Sequence, residues 1–251
     1  MQGIQHYFID SHSLNDEVSA ADYEKQALEI LDREFLTKDV VILTGGSGMF
    51  VDALCKGLDK IPMDKTIRQQ LNDEFKKNGL APLLDELEDN DPVYYEQVDR
   101  QNPVRIMRAL EVIRITDRPY SDLRKAKPIE RPFQVHRYAI DHERQALYDR
   151  INLRVDLMIK NGLIEEVESV KKFRQLTSMN TVGYKELFSF LDGESTKEEA
   201  ISMIKQNSRR YAKRQLTWIR RHSETQWVKW ITLEQIKKEI STHFSNLINL
   251  E

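Results

Sequence analysis

The sequence predicts an α/β fold built on a parallel sheet and interrupted by a helical insertion, from three observations. A β-branched run, Val40-Val41-Ile42-Leu43, ends in the turn Thr44-Gly45-Gly46-Ser47-Gly48, the pattern of a strand buried on both faces that feeds a helix near Phe50. A short strand at residues 6–10 and a helix precede it, so strand, helix, strand, glycine turn and helix follow one another, as in parallel sheets. From about Pro62 the character changes to charged amphipathic segments that run to Pro128 and Pro132.

Each element has its own signals. Ser19, with Asp22 three positions later, opens a helix carrying Ala20, Tyr23, Ala27, Ile30 and Leu31 at helical spacing. Residues 64–77 form an amphipathic helix closed by Gly79, residues 80–88 a second, and Asp91-Pro92 a turn. Asn102-Pro103 starts a helix over residues 105–116 that stops before Pro119. Residues 133–140 are a strand, residues 143–160 a long helix ended by Asn161-Gly162, and a short helix continues to about Phe173. Thr196 and Glu199 make a capping box for the helix that enters the most basic segment, and residues 227–231 are a last strand before a terminal helix. The core therefore comprises residues 1–62 and 133–251, and the insertion residues 63–132.

Composition removes several classes. With 38 basic against 41 acidic residues and a net charge of -3, the molecule is no polycation, so affinity for nucleic acid must be local. The single cysteine, Cys55, excludes an internal disulfide and suits a reducing compartment, the cytoplasm. No apolar run approaches bilayer length, and the start carries no secretory signal. His6, His12, His136, His142, His222 and His243 form no ligand spacing with Cys55, so no metal site is expected from these residues, and no nucleophile motif is present.

Charge is concentrated in one place. Between Ile201 and Ser223 lie Lys205, Arg209, Arg210, Lys213, Arg214, Arg220 and Arg221 with no acidic residue. On a helix the cations face outward, interleaved with Tyr211, Gln215, Thr217 and Trp218, while Ile204, Tyr211 and Ile219 can point at the core. Cations supply phosphate contacts, and aromatic and amide groups stack on or hydrogen-bond to splayed-out bases. The plainer alternative is a solvated basic face. The turn at residues 45–48 could present backbone N–H groups and the Ser47 hydroxyl to an anion, although it is not a Walker A loop; a tight strand-to-helix turn is the alternative. Arg150 and Arg154, at i and i+4, could aim two guanidinium groups at one phosphate-rich ligand or pair with Asp149 or Asp156. Arg105 and Arg108 face solvent or a ligand, with Glu111 in reach of Arg108, and Gly183 marks a close backbone approach or a packing position.

In order, HYFID, SAADY, VILTGGSGMF, NPVRIMRALEV, RINLRVDLMIKNGLIEEV, NTVGYKE and AKRQLTWIR resemble the tRNA dimethylallyltransferases, also called tRNA isopentenyltransferases, over almost the whole chain. The resemblance implies a P-loop-NTPase-like parallel sheet core with a helical insertion domain. It also implies transfer of the dimethylallyl group of dimethylallyl diphosphate to N6 of the adenosine 3′-adjacent to the anticodon, with Mg2+, by a cytoplasmic monomer bound to the tRNA anticodon stem-loop. By resemblance, Ser47, Arg68, Val104, Arg105, Arg108, Asn180, Thr181, Gly183, Tyr184, Lys185, Lys213, Arg214, Gln215, Thr217, Trp218 and Arg220 contact tRNA. Arg150 and Arg154 hold the diphosphate. The family's G-P-T-x-S-G-K-[ST] loop and its D-S-x-Q segment, whose aspartate is the base on N6, have no counterpart in residues 1–251, so no catalytic residue is assigned and the polypeptide alone is expected to be inactive. A non-catalytic tRNA-binding protein and an adenylate-isopentenyltransferase-like enzyme are the rival readings.

Overall fold

The computed structural model describes residues 3–124, 128–229 and 233–248. The chain divides into two compact units, residues 1–51 with 133–251, and residues 52–132.

The first unit opens with α1 (Ala20–Glu34), whose capping box forms as its sequence predicts: the Asp22 amide donates to Ser19 Oγ at 3.2 Å, and the Ser19 amide to Asp22 Oδ2 at 3.0 Å. Helix α2 (Gly48–Lys56) follows the glycine turn, with the Ser47 carbonyl accepting from the amides of Phe50 and Val51. Two expected strands are corrected here. Residues 6–10 are not a strand, because Phe8 and Asp10 have φ of 62° and 51°, a left-handed backbone that no strand adopts. The Phe8 ring instead packs on Tyr23, 4.8 Å between centroids, and Tyr23 on Phe50. Residues 40–43 join no ladder among the described residues, and Ile42 is 84% exposed rather than buried on both faces.

Helices α3 (Lys65–Asn78), α4 (Ala81–Asn90), α5 (Pro92–Gln97), α6 (Pro103–Thr116) and α7 (Tyr120–Leu123) build the second unit. Asp64 caps α3 by accepting from the Thr66 and Ile67 amides, and Gly79 ends it at φ 77°, where a side chain would be strained. Asp91-Pro92 is more than a turn: Asp91 is the cap and Pro92 the first residue of α5. Leu71, Leu83, Leu87, Ile106 and Leu110 meet in its core. On its flank Arg114 grips Glu74 with Nη1 and Nη2, both at 2.8 Å, and Glu86 with Nε at 2.8 Å and Nη2 at 2.6 Å, clamping α3 and α4 onto α6.

This clamp predicts a pH dependence. The Arg114 guanidinium holds the Glu74 carboxyl below its ordinary range. A lowered folded pKa contributes stability above the unfolded value and loses it as pH falls through the folded one. Arg114→Met is therefore expected to cost about 1 kcal/mol at pH 7, held down because Glu74 is 40% exposed, and to flatten the acid limb of the stability curve below about pH 4.5. An acid limb as steep as that of wild type in urea titrations would contradict the assignment.

After the second unit the chain returns to the first. Strand β1 (Tyr138–Asp141) precedes α8 (Arg144–Lys160), α9 (Leu163–Ser169), α10 (Tyr184–Leu191) and the long α11 (Lys197–Ile219), and then β2 (Gln226–Lys229) and α12 (Leu233–Ile248). Strands β1 and β2 pair in parallel, Tyr138 opposite Gln226 and Ile140 opposite Val228. The strand expected over residues 133–140 is confined to its end, because a ladder is no longer than its partner; residues 230 and 231 of the expected last strand lie outside the described residues. Asn161 closes α8, and Gly162 turns the chain at φ 99° into α9. Val155, Val167, Leu187 and Ile204 form the core that fixes α11 against α8 and α10. Among the described residues no helix is long and apolar enough to cross a membrane.

Candidate nucleic-acid interface

Helix α11 starts from the capping box of Thr196 and Glu199 and reaches Ile219 without a break. One stripe of it seats the glycine turn. Gln215 Nε2 donates to the Gly46 carbonyl at 3.0 Å, and the Tyr211 hydroxyl reaches the same oxygen at 3.4 Å. A Cβ on Gly46 would meet Gln215 Nε2 at 1.9 Å, and one on Gly48 would meet the Trp218 ring at 2.4 Å. The approach of the helix, not a positive φ, is therefore what restricts both positions, and Gly48 more than Gly46, because Gln215 can rotate aside while the Trp218 ring is held. The Trp218 ring is itself held edge-on to His222, 4.9 Å between centroids, with the Arg137 guanidinium 5.9 Å from its centroid. Ser47 stands exposed on this junction. Tyr211 is 42% exposed, which corrects its placement in the core. Its spacing from Gln215 and Trp218, four and seven residues, is the sequence signal that puts the three on one stripe.

Six of the seven cations divide by their neighbours, and the seventh, Arg221, is exposed. Lys205 is paired with Asp156 at 2.6 Å, and Arg209 donates to Asn152 Oδ1 at 2.6 Å, so these two bind α11 to α8. Arg210 donates to Asn207 Oδ1 at 3.2 Å. Lys213, Arg214 and Arg220 are exposed and within ion-pairing distance of no carboxylate among the described residues; Arg214 lies 5.5 Å from the Tyr211 ring centroid, and Arg220 5.8 Å from that of Trp227. Thr217 is exposed, its hydroxyl donating to the Lys213 carbonyl.

Residues 180–185 reach the same helix from another side. Gly183 has φ 105°, and its N–H donates to the buried Glu186 carboxylate at 2.8 Å. Asn207 of α11 donates to the other Glu186 oxygen at 2.7 Å. Asn180, Thr181 and Lys185 are exposed, while the Tyr184 hydroxyl is turned to Glu166, and burial together with that carboxylate pushes it up to about 12, so it stays a donor. Sequence reasoning missed both Glu186 and Asn207. A polar pair 21 residues apart shows no local pattern.

On α8, Arg150 and Arg154 are both exposed. Arg150 Nη1 lies 3.1 Å from His142 Nε2; burial first and the Arg150 charge second hold His142 below its ordinary range, so the ring is a neutral acceptor. Arg154 is in ion-pair range of no carboxylate among the described residues. In the second unit Arg108 realises its pairing with Glu111 at 3.0 Å and donates to the carbonyls of Pro62 and Ile61, while Arg68 reaches the same Glu111 at 3.4 Å. Val104 and Arg105 are exposed on the first turn of α6. Among the described residues no group of three or more His, Cys, Asp or Glu side chains is placed to hold a metal ion. These residues therefore offer a magnesium ion no carboxylate cage.

These features define a class: an α/β protein whose glycine turn is packed beneath a helix of exposed cations and aromatic rings. The family model described as IPP transferase matches residues 1–222. A tRNA dimethylallyltransferase of Bacteroides thetaiotaomicron is 44% identical over 252 residues, covering 98% of this chain and 82% of that protein. Among solved structures, the tRNA isopentenylpyrophosphate transferase of Bacillus halodurans superposes with a TM-score of 0.68 at 32% identity, covering 98% of this chain and 79% of that one. A eukaryotic dimethylallyltransferase acting on tRNA superposes at 0.74 with 19% identity, over 96% of this chain and 64% of that one, and shares the fold. The chain belongs to the IPP transferase family, whose relatives are the tRNA dimethylallyltransferases.

Proposed function

We propose that this chain holds tRNA for prenyl transfer from dimethylallyl diphosphate to N6 of the adenosine 3′-adjacent to the anticodon. The observation that carries the reading is the junction itself: Gln215, Tyr211 and Trp218 seat the glycine turn, and Lys213 and Arg214 beside them meet no carboxylate among the described residues. Cations without internal counterions are available to phosphates, and rings at a turn are available to a displaced base. Asn180, Thr181 and Lys185 extend that surface, and Val104 and Arg105 are the contacts we assign on the second unit, where Arg68 and Arg108 are shared with Glu111.

In the transfer, the bond from the allylic carbon to the diphosphate oxygen breaks, a bond from N6 forms, and the N6 proton leaves to a base. Arg150 and Arg154 are assigned to the departing diphosphate, Arg150 held by neutral His142 and Arg154 exposed one turn further along α8. No residue of this chain is assigned as the N6 base. A magnesium ion, where bound, would add charge screening to the diphosphate that Arg150 and Arg154 would hold. We place the activity in the cytoplasm, in a single copy of the chain.

Binding and transfer are tested separately. Lys213→Ala and Arg214→Ala are each expected to weaken binding of an anticodon stem-loop hairpin and to lower the slope of log K against log salt by roughly 0.7 to 0.9 for each phosphate no longer neutralised. Unchanged slopes would remove these two residues from the interface. The 251-residue polypeptide is expected to bind RNA without incorporating label from dimethylallyl diphosphate. If coding sequence upstream of Met1 supplies the loop and aspartate, the longer protein should label tRNA. Binding without labelling by that longer protein would favour a non-catalytic RNA-binding protein, and label in AMP an adenylate-type enzyme.

A further inference from the structure

We infer that Glu186 and Asn207 are positioning residues that lock residues 181–185 to α11 and aim Arg210 at an RNA phosphate, an inference that rests on the tRNA reading above. Four groups form one chain. The Gly183 N–H donates to Glu186 Oε2 at 2.8 Å, Asn207 Nδ2 donates to Glu186 Oε1 at 2.7 Å, and Arg210 Nη1 donates to Asn207 Oδ1 at 3.2 Å. Glu186 is 7% exposed and Arg210 is exposed, so the chain runs from a buried carboxylate to the surface.

Its polarity leaves no freedom. A backbone N–H and a guanidinium are both obligate donors, so the two side chains between them must accept at each end and supply one donor in the middle. Glutamate followed by asparagine does this with the amide nitrogen turned toward Glu186 and its oxygen toward Arg210. The Glu186→Gln variant with Asn207 retained does not: once the new amide oxygen accepts from Gly183, the new amide nitrogen faces the Asn207 nitrogen. Asn207 must then rotate, which presents a donor to Arg210. The buried end is satisfied first, because an unmade bond costs more there, so the loss falls on Arg210. Gly183 has φ 105° and cannot relax toward a commoner conformation without carrying Thr181 and Lys185 with it. Arg210 pairs with no carboxylate among the described residues, so Asn207 is what fixes its direction.

The test is hairpin binding by the full chain, measured over a range of salt. Glu186→Gln removes a negative charge, which by field alone would tighten binding to a polyanion. The relay requires the opposite: binding weakened by about three- to tenfold and a salt slope lowered by the share of roughly one phosphate. Arg210→Ala should lower the slope equally, and combining it with Glu186→Gln should add little. The double variant Glu186→Gln with Asn207→Asp reverses the amide and carboxylate, keeps the net charge and restores every donor–acceptor match, so it should recover affinity. A Glu186→Gln protein that binds as tightly as wild type or tighter, or a double variant no better than the single one, overturns the relay. A lowered melting temperature that the double variant corrects without recovering affinity assigns the chain to stability alone and overturns it too. Wild-type protein that does not bind the hairpin would fail the tRNA reading itself, and this inference with it.

Discussion

Gly48→Ala is expected to weaken hairpin binding by tenfold or more and to destabilise the first unit by about 1–3 kcal/mol, whereas Gly46→Ala should cost no more than about threefold in binding. The two glycines sit two residues apart in one turn, yet they meet different neighbours. A methyl group at Gly46 collides with Gln215 Nε2, the far end of a flexible side chain that can rotate aside and lose its 3.0 Å bond to the Gly46 carbonyl. A methyl group at Gly48 meets three atoms of the Trp218 ring, between 2.4 and 2.7 Å away. That ring cannot swing clear without leaving His222 and Arg137, so the turn must lift off the helix. Lifting the turn separates Ser47 from the cations of α11. The coupling can be measured as a cycle: in a Trp218→Ala background, Gly48→Ala should add almost nothing. Equal effects of the two alanine substitutions, or additivity with Trp218→Ala, would show that the ring does not set the turn.

Asp91→Ala is expected to destabilise the helical unit by about 3 kcal/mol or more. Asp91 is fully buried and accepts from the Tyr94 amide at 3.0 Å, the Ser121 amide at 2.8 Å and the Ser121 hydroxyl at 2.7 Å. It is at once the cap of α5 and the tie that brings α7 back to it. Removing it leaves the Tyr94 amide and the Ser121 amide and hydroxyl without this partner at a fully buried position. Asp91→Asn keeps one accepting oxygen and turns a donor toward the Ser121 amide, so it should lose about half as much. Urea unfolding followed by tyrosine near-ultraviolet signal separates these outcomes, and a cost for Asp91→Ala within the range of an exposed cap, about 1 kcal/mol, would mean that water replaces the carboxylate.

For the proposed RNA surface, the seven-residue cluster of cations was legible as a cluster, but which members have internal partners was not. Lys205 and Arg209 are taken by Asp156 and Asn152 on α8, whereas Lys213 and Arg214 meet no carboxylate among the described residues. Charge is visible in a sequence; the arrival of a partner from a distant element is not.

The sequence by itself determined the helices that carry their own caps and stops. Ser19 with Asp22, Asp64, Asn102 and Thr196 with Glu199 cap the helices they precede, and Gly79 and Gly162 stop the helices they follow. Those hydrogen bonds span about four residues, and the groups that make them are adjacent whatever the rest of the chain does. The tertiary structure alone decided which of the expected strands form, the seat of the glycine turn and the link from Gly183 through Glu186 to Asn207. Residues 40–43 have the composition of a buried strand and yet pair with nothing among the described residues, while four residues at Tyr138–Asp141 are a strand because Gln226–Lys229 lies beside them. A strand, a clamped glycine or a directed cation needs a second segment from elsewhere in the chain, and no local pattern specifies which segment comes.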